Sequence, residues 1–324
     1  MNKRLVSVGT IIMDMFPVHD TAAFTEDCSF KIEPGGSAAN VAVCAAKLGL
    51  RSSFIGKVGD DEFGHLLENV LKKNNVDVSG LRFDSGRRTT LNFHIRLPEG
   101  EYSYLFYRNP GADTNLKTDE IEPDMIKQAD VLHIDSLCLT DNPTKKTALY
   151  LASIARENGV PVSFDFNYRP PVWHEPSKAV DTFMEILPYI DILKVNKNEY
   201  DLILPDKNLA SGEEWLFTRG IKILLLTRGA DGCHVACPGF YIDTPAMDVK
   251  TVDTVGCGDA FIASFLTYMN KNELTIATPD QLKECALYAD TAASLTSARY
   301  GAMNALPDLS EVDASWKERN RGNI

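Results

Sequence analysis

Six short apolar runs, "LVSVGTII", "SSFIGKV", "DVLHID", "PVSFDF", "DILKVN" and "KILLLT", recur along a chain of 324 residues, with amphipathic segments between them. Each is rich in β-branched and aliphatic residues and flanked by turn-forming ones, so each is predicted to be a buried strand. Between two of them, "DDEFGHLLENVLKKN" places Phe63, Leu66, Leu67, Val70 and Leu71 on one helical face. Strands apolar on both faces, alternating with helices, argue for a mostly parallel sheet covered on both sides, because parallel neighbours need a crossover between them.

One segment breaks that rhythm. "TTLNFHIRLPEGEYSYLFYR" alternates strictly about a Pro-Glu-Gly turn, with Leu91, Phe93, Ile95 and Leu97 on one face and Thr90, Asn92, His94 and Arg96 on the other. An antiparallel hairpin inside an α/β chain is expected to project as a small sheet, available as a lid or a dimer surface. Its aromatic face, Tyr102, Tyr104 and Phe106, would be a costly patch on a monomer, so a homodimer through the lid is expected, unless that face packs on its own domain. The tail "WKERNRGNI" reads as a loose polar terminus.

Charge and cysteine content narrow the function classes. Thirty-three Lys and Arg against forty-five Asp and Glu give a net charge of -12, which disfavours nucleic acid and anionic membranes as partners. An anionic ligand would need a local positive site. Seven cysteines without a C-x-x-C pair, and six His without H-E-x-x-H, point to reduced structural thiols and to neither a disulfide framework nor a zinc cage. The N-terminal "MNKRLVSVGTIIMDMF" imitates a secretory signal but is broken by Asp14, and no run approaches the ~20 apolar residues of a membrane span. A cytoplasmic protein is expected.

Three stretches carry chemistry. In "DTVGCGDAF", Gly256 and Gly258 allow a tight turn into a helix, so backbone amides at the positive end of the helix dipole form an anion site. Asp259 would repel an anion there, and it makes sense as a base facing a second substrate; the alternative is a simple helix cap. In "EPGGSAANVAVCAAKLG", Gly35 and Gly36 precede a small-residue helix in which the Asn40 amide could hold a hydroxyl, although a plain helix start explains the glycines too. Asp14 is placed at the end of the first strand, where open α/β sheets gather ligand groups, or serves as a turn residue. Polar residues also follow three later strands: Asp165, Asn167 and Arg169, then Asn196 and Glu199, then Thr227 and Gly229. Together they line one sheet edge as a site for a polar, phosphorylated ligand. Neither the Walker nor the dinucleotide glycine fingerprint is present.

"GGSAANVAVCAAKLG" and "DTVGCGDAF", in this order and separation, resemble the two signature regions of the ribokinase (PfkB) family of sugar kinases. "FIGKVGDDEFGHLLENVLKKNNVDVSG", "FYRNPGAD" and "DFNYRPPVW" look most like its fructokinase branch, and the likeness runs over nearly the whole chain. The resemblance implies a ribokinase-like three-layer α/β/α sandwich, a single domain over 1–324, with a small β-sheet lid from inserted segments at about 15–33 and 86–109. It implies ATP-dependent phosphorylation of a sugar hydroxyl, with Asp259 as base and the backbone of Gly256, Cys257 and Gly258 as anion hole. Asn196 and Glu199 match an element that organises Mg²⁺ through water. Asp14, Gly35, Gly36 and Asn40 match sugar contacts, and Arg108, Asp165, Asn167 and Arg169 fall on the substrate side. Thr227, Gly229 and Gly232 match the nucleotide loop, and the segment from Ala286 through Asp290 to Ser294 borders adenine. Lys194, Lys197 or Arg169 would meet the ATP phosphates. Asp253, Val255, Arg299 and Gly301 correspond to a K⁺ loop found in many members.

Two positions depart from the pattern: Cys257 where alanine is more usual, which suggests thiol-reagent sensitivity, and Val255 where threonine is frequent. Fructose is the expected substrate. A 2-keto-3-deoxygluconate kinase shares Asp165, Asn167, Arg169 and Trp173, and its acidic substrate would call for Arg108 or Arg169 in the sugar pocket. Riboside kinases and a non-catalytic sugar-binding regulatory relative complete the alternatives.

Overall fold

The computed structural model describes residues 3–18, 24, 26–96, 102–274 and 278–321. The Pro-Glu-Gly turn of the expected hairpin lies outside these residues. Among the described residues thirteen strands form two sheets. The strands are β1 (Arg4–Val8), β2 (Ile12–Pro17), β3 (Phe30–Gly35), β4 (Arg51–Gly59), β5 (Val76–Asp84), β6 (Leu91–Arg96), β7 (Tyr102–Tyr107), β8 (Val131–Asp135), β9 (Val162–Asp165), β10 (Ile192–Asn196), β11 (Ile223–Thr227), β12 (Cys233–Cys237) and β13 (Phe240–Thr244).

The large sheet runs β13-β12-β11-β10-β9-β8-β1-β4-β5, with every pairing parallel except β11–β12 and β12–β13, so that β12 alone runs against the others. Side chains alternate across it: Leu5, Phe54, Val131 and Leu225 enter one core, Val6, Ile55, Leu132 and Leu224 the other. Burial on both faces is why these strands read as continuous apolar runs. One core is closed by α1 (Ser37–Lys47), α2 (Glu62–Lys73), α9 (Cys257–Lys271), α10 (Pro279–Ser297) and α11 (Leu309–Arg321). The opposite core is closed by α3 (Asp124–Lys127), α4 (Thr144–Glu157), α5 (Pro170–Trp173), α6 (Pro176–Ile186), α7 (Lys197–Ile203) and α8 (Leu209–Phe217). The result is a three-layer α/β/α arrangement.

The small sheet has the order β3-β2-β6-β7. Its presence corrects the first strand. "LVSVGTII" is not one strand: β1 stops at Val8, and Ile12 opens β2 in the other sheet. Gly9 has φ +153 and lies so close to Asp135 that a Cβ would come within 2.6 Å of Oδ2. Asp135 Oδ2 accepts from the Thr10 amide (3.1 Å), the Thr10 hydroxyl (2.9 Å) and the Ala38 amide (3.0 Å), which lifts the chain out of the large sheet. Asp14 therefore sits within β2 of the small sheet, not at a strand end of the large one.

The hairpin also faces the other way from the expectation. Asn92 and His94 are buried, and Tyr104 and Phe106 line a cavity, whereas Leu105 and Tyr107 are exposed on the outer side with Phe93 against Phe24, Phe30 and Tyr107. Period-two alternation says which residues share a face but not which face turns inward. Here the hydrogen bonds of Asn92 (2.8 Å) and His94 (2.9 Å) to Asp14 Oδ1 bring the polar face in. The tail is likewise no loose end: "WKERNR" belongs to α11, and Trp316 packs on Tyr268 and Tyr288.

Candidate active site

Helix α9 is preceded by its N-cap residue Gly256, whose left-handed φ of +80 suits glycine. The Cys257 amide reaches the Thr254 carbonyl (3.3 Å) and the Ala260 amide starts the helical ladder at Gly256 (2.8 Å). The Gly258 and Asp259 amides, by contrast, have no partner among the described residues. The Gly256 amide is likewise unpaired among the described residues, and free donors at a helix N-terminus make an arrangement suited to an anion.

Asp259 does not cap its helix. Its carboxylate turns to the start of α1, accepting from Ser37 Oγ at 2.7 Å and Asn40 Nδ2 at 2.8 Å. The glycines of "PGGS" make that approach possible: Gly36 has φ +100, and a Cβ there would meet the Thr10 carbonyl at 2.6 Å. Burial pushes the Asp259 pKa up, Asp165 adds repulsion, and the bonds from Asn40 and Ser37 with the Lys194 charge pull it back, leaving it at about 6. A carboxylate poised there is ionised near neutral pH yet basic enough to take a hydroxyl proton.

A cation, Lys194, lies beside Gly258. Its ammonium bonds both oxygens of Asp165 at 3.0 Å, and a Cβ on Gly258 would sit 2.8 Å from Nζ. Burial opposes its charge, but Asp165 and Glu199 outweigh burial and hold its pKa above the ordinary value. Lys197 is exposed and pairs with Asp201. Asn196 and Glu199 form a capping box on α7: Glu199 accepts from the Asn196 amide (2.8 Å) and the Tyr168 amide (2.9 Å), and Asn196 from the Glu199 amide (2.9 Å). Burial pushes the Cys257 thiol up to about 12. Alkylation by iodoacetamide at neutral pH should therefore leave Cys257 unmodified and activity intact, and peptide mapping that found Cys257 rapidly labelled would contradict this.

Two cavities meet at Thr227, Gly229, Thr254 and Gly258. One, of about 340 Å³, is lined by Asp14, Gly36, Asn40, Asn92, His94, Asn167, Arg169, Lys194 and Asp259. Two buried acceptors in it, Asn40 Oδ1 and Asn92 Oδ1, have no partner among the described residues, which suits hydroxyl donors of a ligand. Arg169 lies over the Tyr104 ring at 5.6 Å. The other, of about 390 Å³, is lined by Gly232, residues 246–249, Phe261, Asp290, Ser294 and Ser297.

Other sequence candidates are placed outside these cavities. Arg108 pairs with Asp113 at 2.6 Å and donates to Thr140 and to the carbonyl of Leu137; Leu137 lines the Asp14 cavity, but Arg108 does not. Arg299 pairs with Glu311. Ala286 is buried within α10, and Gly35 lies against Asp14, where a Cβ would strike its carboxylate. Asp253 lies outside as well and ties Val255, which does line the Asp14 cavity, to Gly301 through their amides, at 3.1 and 3.0 Å. The sequence did not single out Ser37, Asn92, His94, Asp135 or Thr254, the last of which lines both cavities. Ser37 stood inside a recognised glycine turn, and Asn92 and His94 shared an identified face, so a signal existed for these three. For Asp135, the hub beneath Thr10 and Ala38, the sequence held none.

The pfkB family carbohydrate kinase model matches residues 2–309. A probable fructokinase-2 of Arabidopsis thaliana is 35% identical over 308 residues, covering 94% of both chains. Among solved structures, a fructokinase from Xylella fastidiosa with bound ATP superposes with TM-score 0.89 at 26% identity, covering 99% of this chain and 100% of that one. A fructokinase from Vibrio cholerae O395, in a fructose, ADP and calcium ion bound form, has TM-score 0.85 at 28% identity, covering 97% of this chain and 98% of that one.

Proposed function

This chain belongs to the pfkB family of carbohydrate kinases, and on that premise we propose that it is a fructokinase converting ATP and D-fructose to ADP and D-fructose 6-phosphate. The observation that carries this is the junction of two cavities at the α9 N-terminus, with Asp259 facing one and the shared Gly258 facing both. One cavity takes the sugar and the other the nucleotide.

The chemistry follows from the positions. Asp14 and the unpaired acceptors of Asn40 and Asn92 receive sugar hydroxyls and orient the primary alcohol toward Asp259. That alcohol oxygen bonds to the γ-phosphorus while the bond to the ADP bridging oxygen breaks, and Asp259 accepts the alcohol proton. The Gly258 and Asp259 amides with Lys194 stabilise charge on the transferring group. The small sheet, bearing His94 and Tyr104 over the sugar, acts as the lid that excludes water.

Among the described residues no cluster of three or more His, Cys, Asp or Glu side chains could hold a metal by itself. Asn196 and Glu199 both line the cavity at the junction, where they would order the waters of a Mg²⁺ arriving on the nucleotide. Bound there, Mg²⁺ would neutralise phosphate charge. The Asp253 bridge between Val255 and Gly301 shapes the loop that would hold K⁺.

A neutral sugar suits a pocket whose free groups are acceptors, and Arg108 is spent on Asp113. Arg169 does face this pocket, so 2-keto-3-deoxygluconate is the second reading. Initial rates of ADP formation with MgATP, over fructose, 2-keto-3-deoxygluconate, ribose and ribosides, with and without K⁺, separate them. Fructose is expected to give the highest kcat/KM and K⁺ to raise it; a preference for the sugar acid would overturn the substrate assignment.

We place the homodimer contact on the outer face of the small sheet, where Ile32, Leu105 and Tyr107 are exposed. Sedimentation should give twice the chain mass, and Leu105→Glu with Tyr107→Glu the single mass; a monomeric wild type would contradict the contact. Cys44, Cys138, Cys233, Cys237, Cys257 and Cys285 form no disulfides, which supports a reducing compartment such as the cytoplasm; recovery in an organelle fraction would contradict that.

A further inference from the structure

Helix α11 does more than cover the core. Trp316 wedges it against α9 and α10, with ring centroids 5.6 Å from Tyr268 and 6.0 Å from Tyr288, and Asp313 accepts from the Tyr288 hydroxyl at 3.2 Å. One turn further on, Arg319 turns back to the cavity assigned above to the nucleotide. Its Nη1 donates to Asp290 Oδ2 at 2.7 Å and its Nη2 to the Pro245 carbonyl. The same Asp290 oxygen accepts from the Met247 amide at 2.9 Å.

Asp290 and Met247 both line the cavity, on α10 and on the irregular segment 245–251. That segment is neither helix nor strand, so its own backbone bonds do not fix its path. Arg319 and Asp290 supply the fixing from outside, one guanidinium joining a carboxylate on one wall to a carbonyl at the start of the other. The Arg319 side chain is 11% exposed and Asp290 8%, so the pair is shielded from solvent.

We propose that Arg319 is a positioning residue for the nucleotide: it locks segment 245–249 against α10 and sets the width of the adenosine end of the cavity, making α11 part of the nucleotide site. The inference rests on the nucleotide reading of that cavity. It assigns no contact between Arg319 and the ligand, and none with the sugar.

The test uses the full chain and ADP as probe. Calorimetric titration of wild type and Arg319→Ala, with KM for MgATP and for fructose, is expected to show the ADP dissociation constant and the MgATP KM raised about tenfold, with the fructose KM within about twofold. Arg319→Lys should recover part of the affinity, since an ammonium can meet Asp290 but cannot span both acceptors. A purely structural role predicts a lower melting temperature with no split between the two substrates, and that result overturns the inference. So does an unchanged ADP constant in Arg319→Ala. If Arg319→Ala fails to fold, Asp290→Asn decides by the same measurement, because it weakens the clamp and keeps the shape. A wild type that binds no ADP would instead remove the nucleotide reading of the cavity itself.

Discussion

Asp259→Asn is expected to lower kcat by a factor of about 10²–10⁴ while sugar and nucleotide still bind, because the variant loses the proton acceptor and keeps the shape. The fold has room for the change. Asn40 Oδ1 has no partner among the described residues, so an amide flip gives the new Nδ2 an acceptor while Ser37 still donates to the remaining oxygen. Stability should move in the opposite direction from activity. The Asp259 pKa is raised by burial first and by Asp165 second, from 3.8 to about 6. The folded protein therefore holds its proton more tightly than the unfolded chain does. That favours the fold below the ordinary carboxylate pKa, and the benefit is lost as pH rises from about 4 through about 6. Above that window the ionised carboxylate costs on the order of 2–3 kcal/mol. Asp259→Asn should accordingly melt higher than wild type at pH 8, with the difference closing at pH 4. Denaturation at both pH values reads this, and equal melting at pH 8 would contradict a strained carboxylate. Wild-type kcat/KM should in turn fall as pH drops below about 6, where the base takes up its proton.

Lys194→Met has the second large effect, and it strikes the fold first. Asp165 is fully buried and bonded to the ammonium through both oxygens. Removing the cation strands a buried charge, which costs about 3–5 kcal/mol. Activity should fall as well, since the ammonium lies beside Gly258 and helps hold the Asp259 pKa down. Without it, the acid limb of the pH profile moves up. Adding Asp165→Asn to Lys194→Met should restore much of the stability and none of the phosphoryl-transfer rate. A single variant as stable as wild type in urea would show that losing Lys194 does not leave Asp165 as a costly unpaired charge.

The parallel sheet was legible because strands buried on both faces leave continuous apolar runs. The antiparallel edge pair β12 and β13 was harder to see: "CHVAC" and "FYIDT" are short and mixed, and the turn "PG" joining them is brief. Strand β5 escaped for a similar reason, since Asp77, Ser79 and Gly80 interrupt it. At the site, the glycine turns and Asp259 could be read locally, since a helix start and a carboxylate need only neighbours in sequence. What could not be read is long-range closure. Asp259 is 222 residues from Ser37, and Asp14 is 80 from His94, so only the folded chain brings them together. Arg108 illustrates the converse. Its position suggested a ligand contact, but Asp113, five residues on, takes its guanidinium.

The most direct measurement is ³¹P NMR of the purified protein with MgATP and D-fructose. The account predicts that ATP is replaced by equal amounts of ADP and one phosphomonoester, and that proton coupling places this ester on C6. ADP accompanied only by inorganic phosphate, or a phosphomonoester on another carbon, would contradict it.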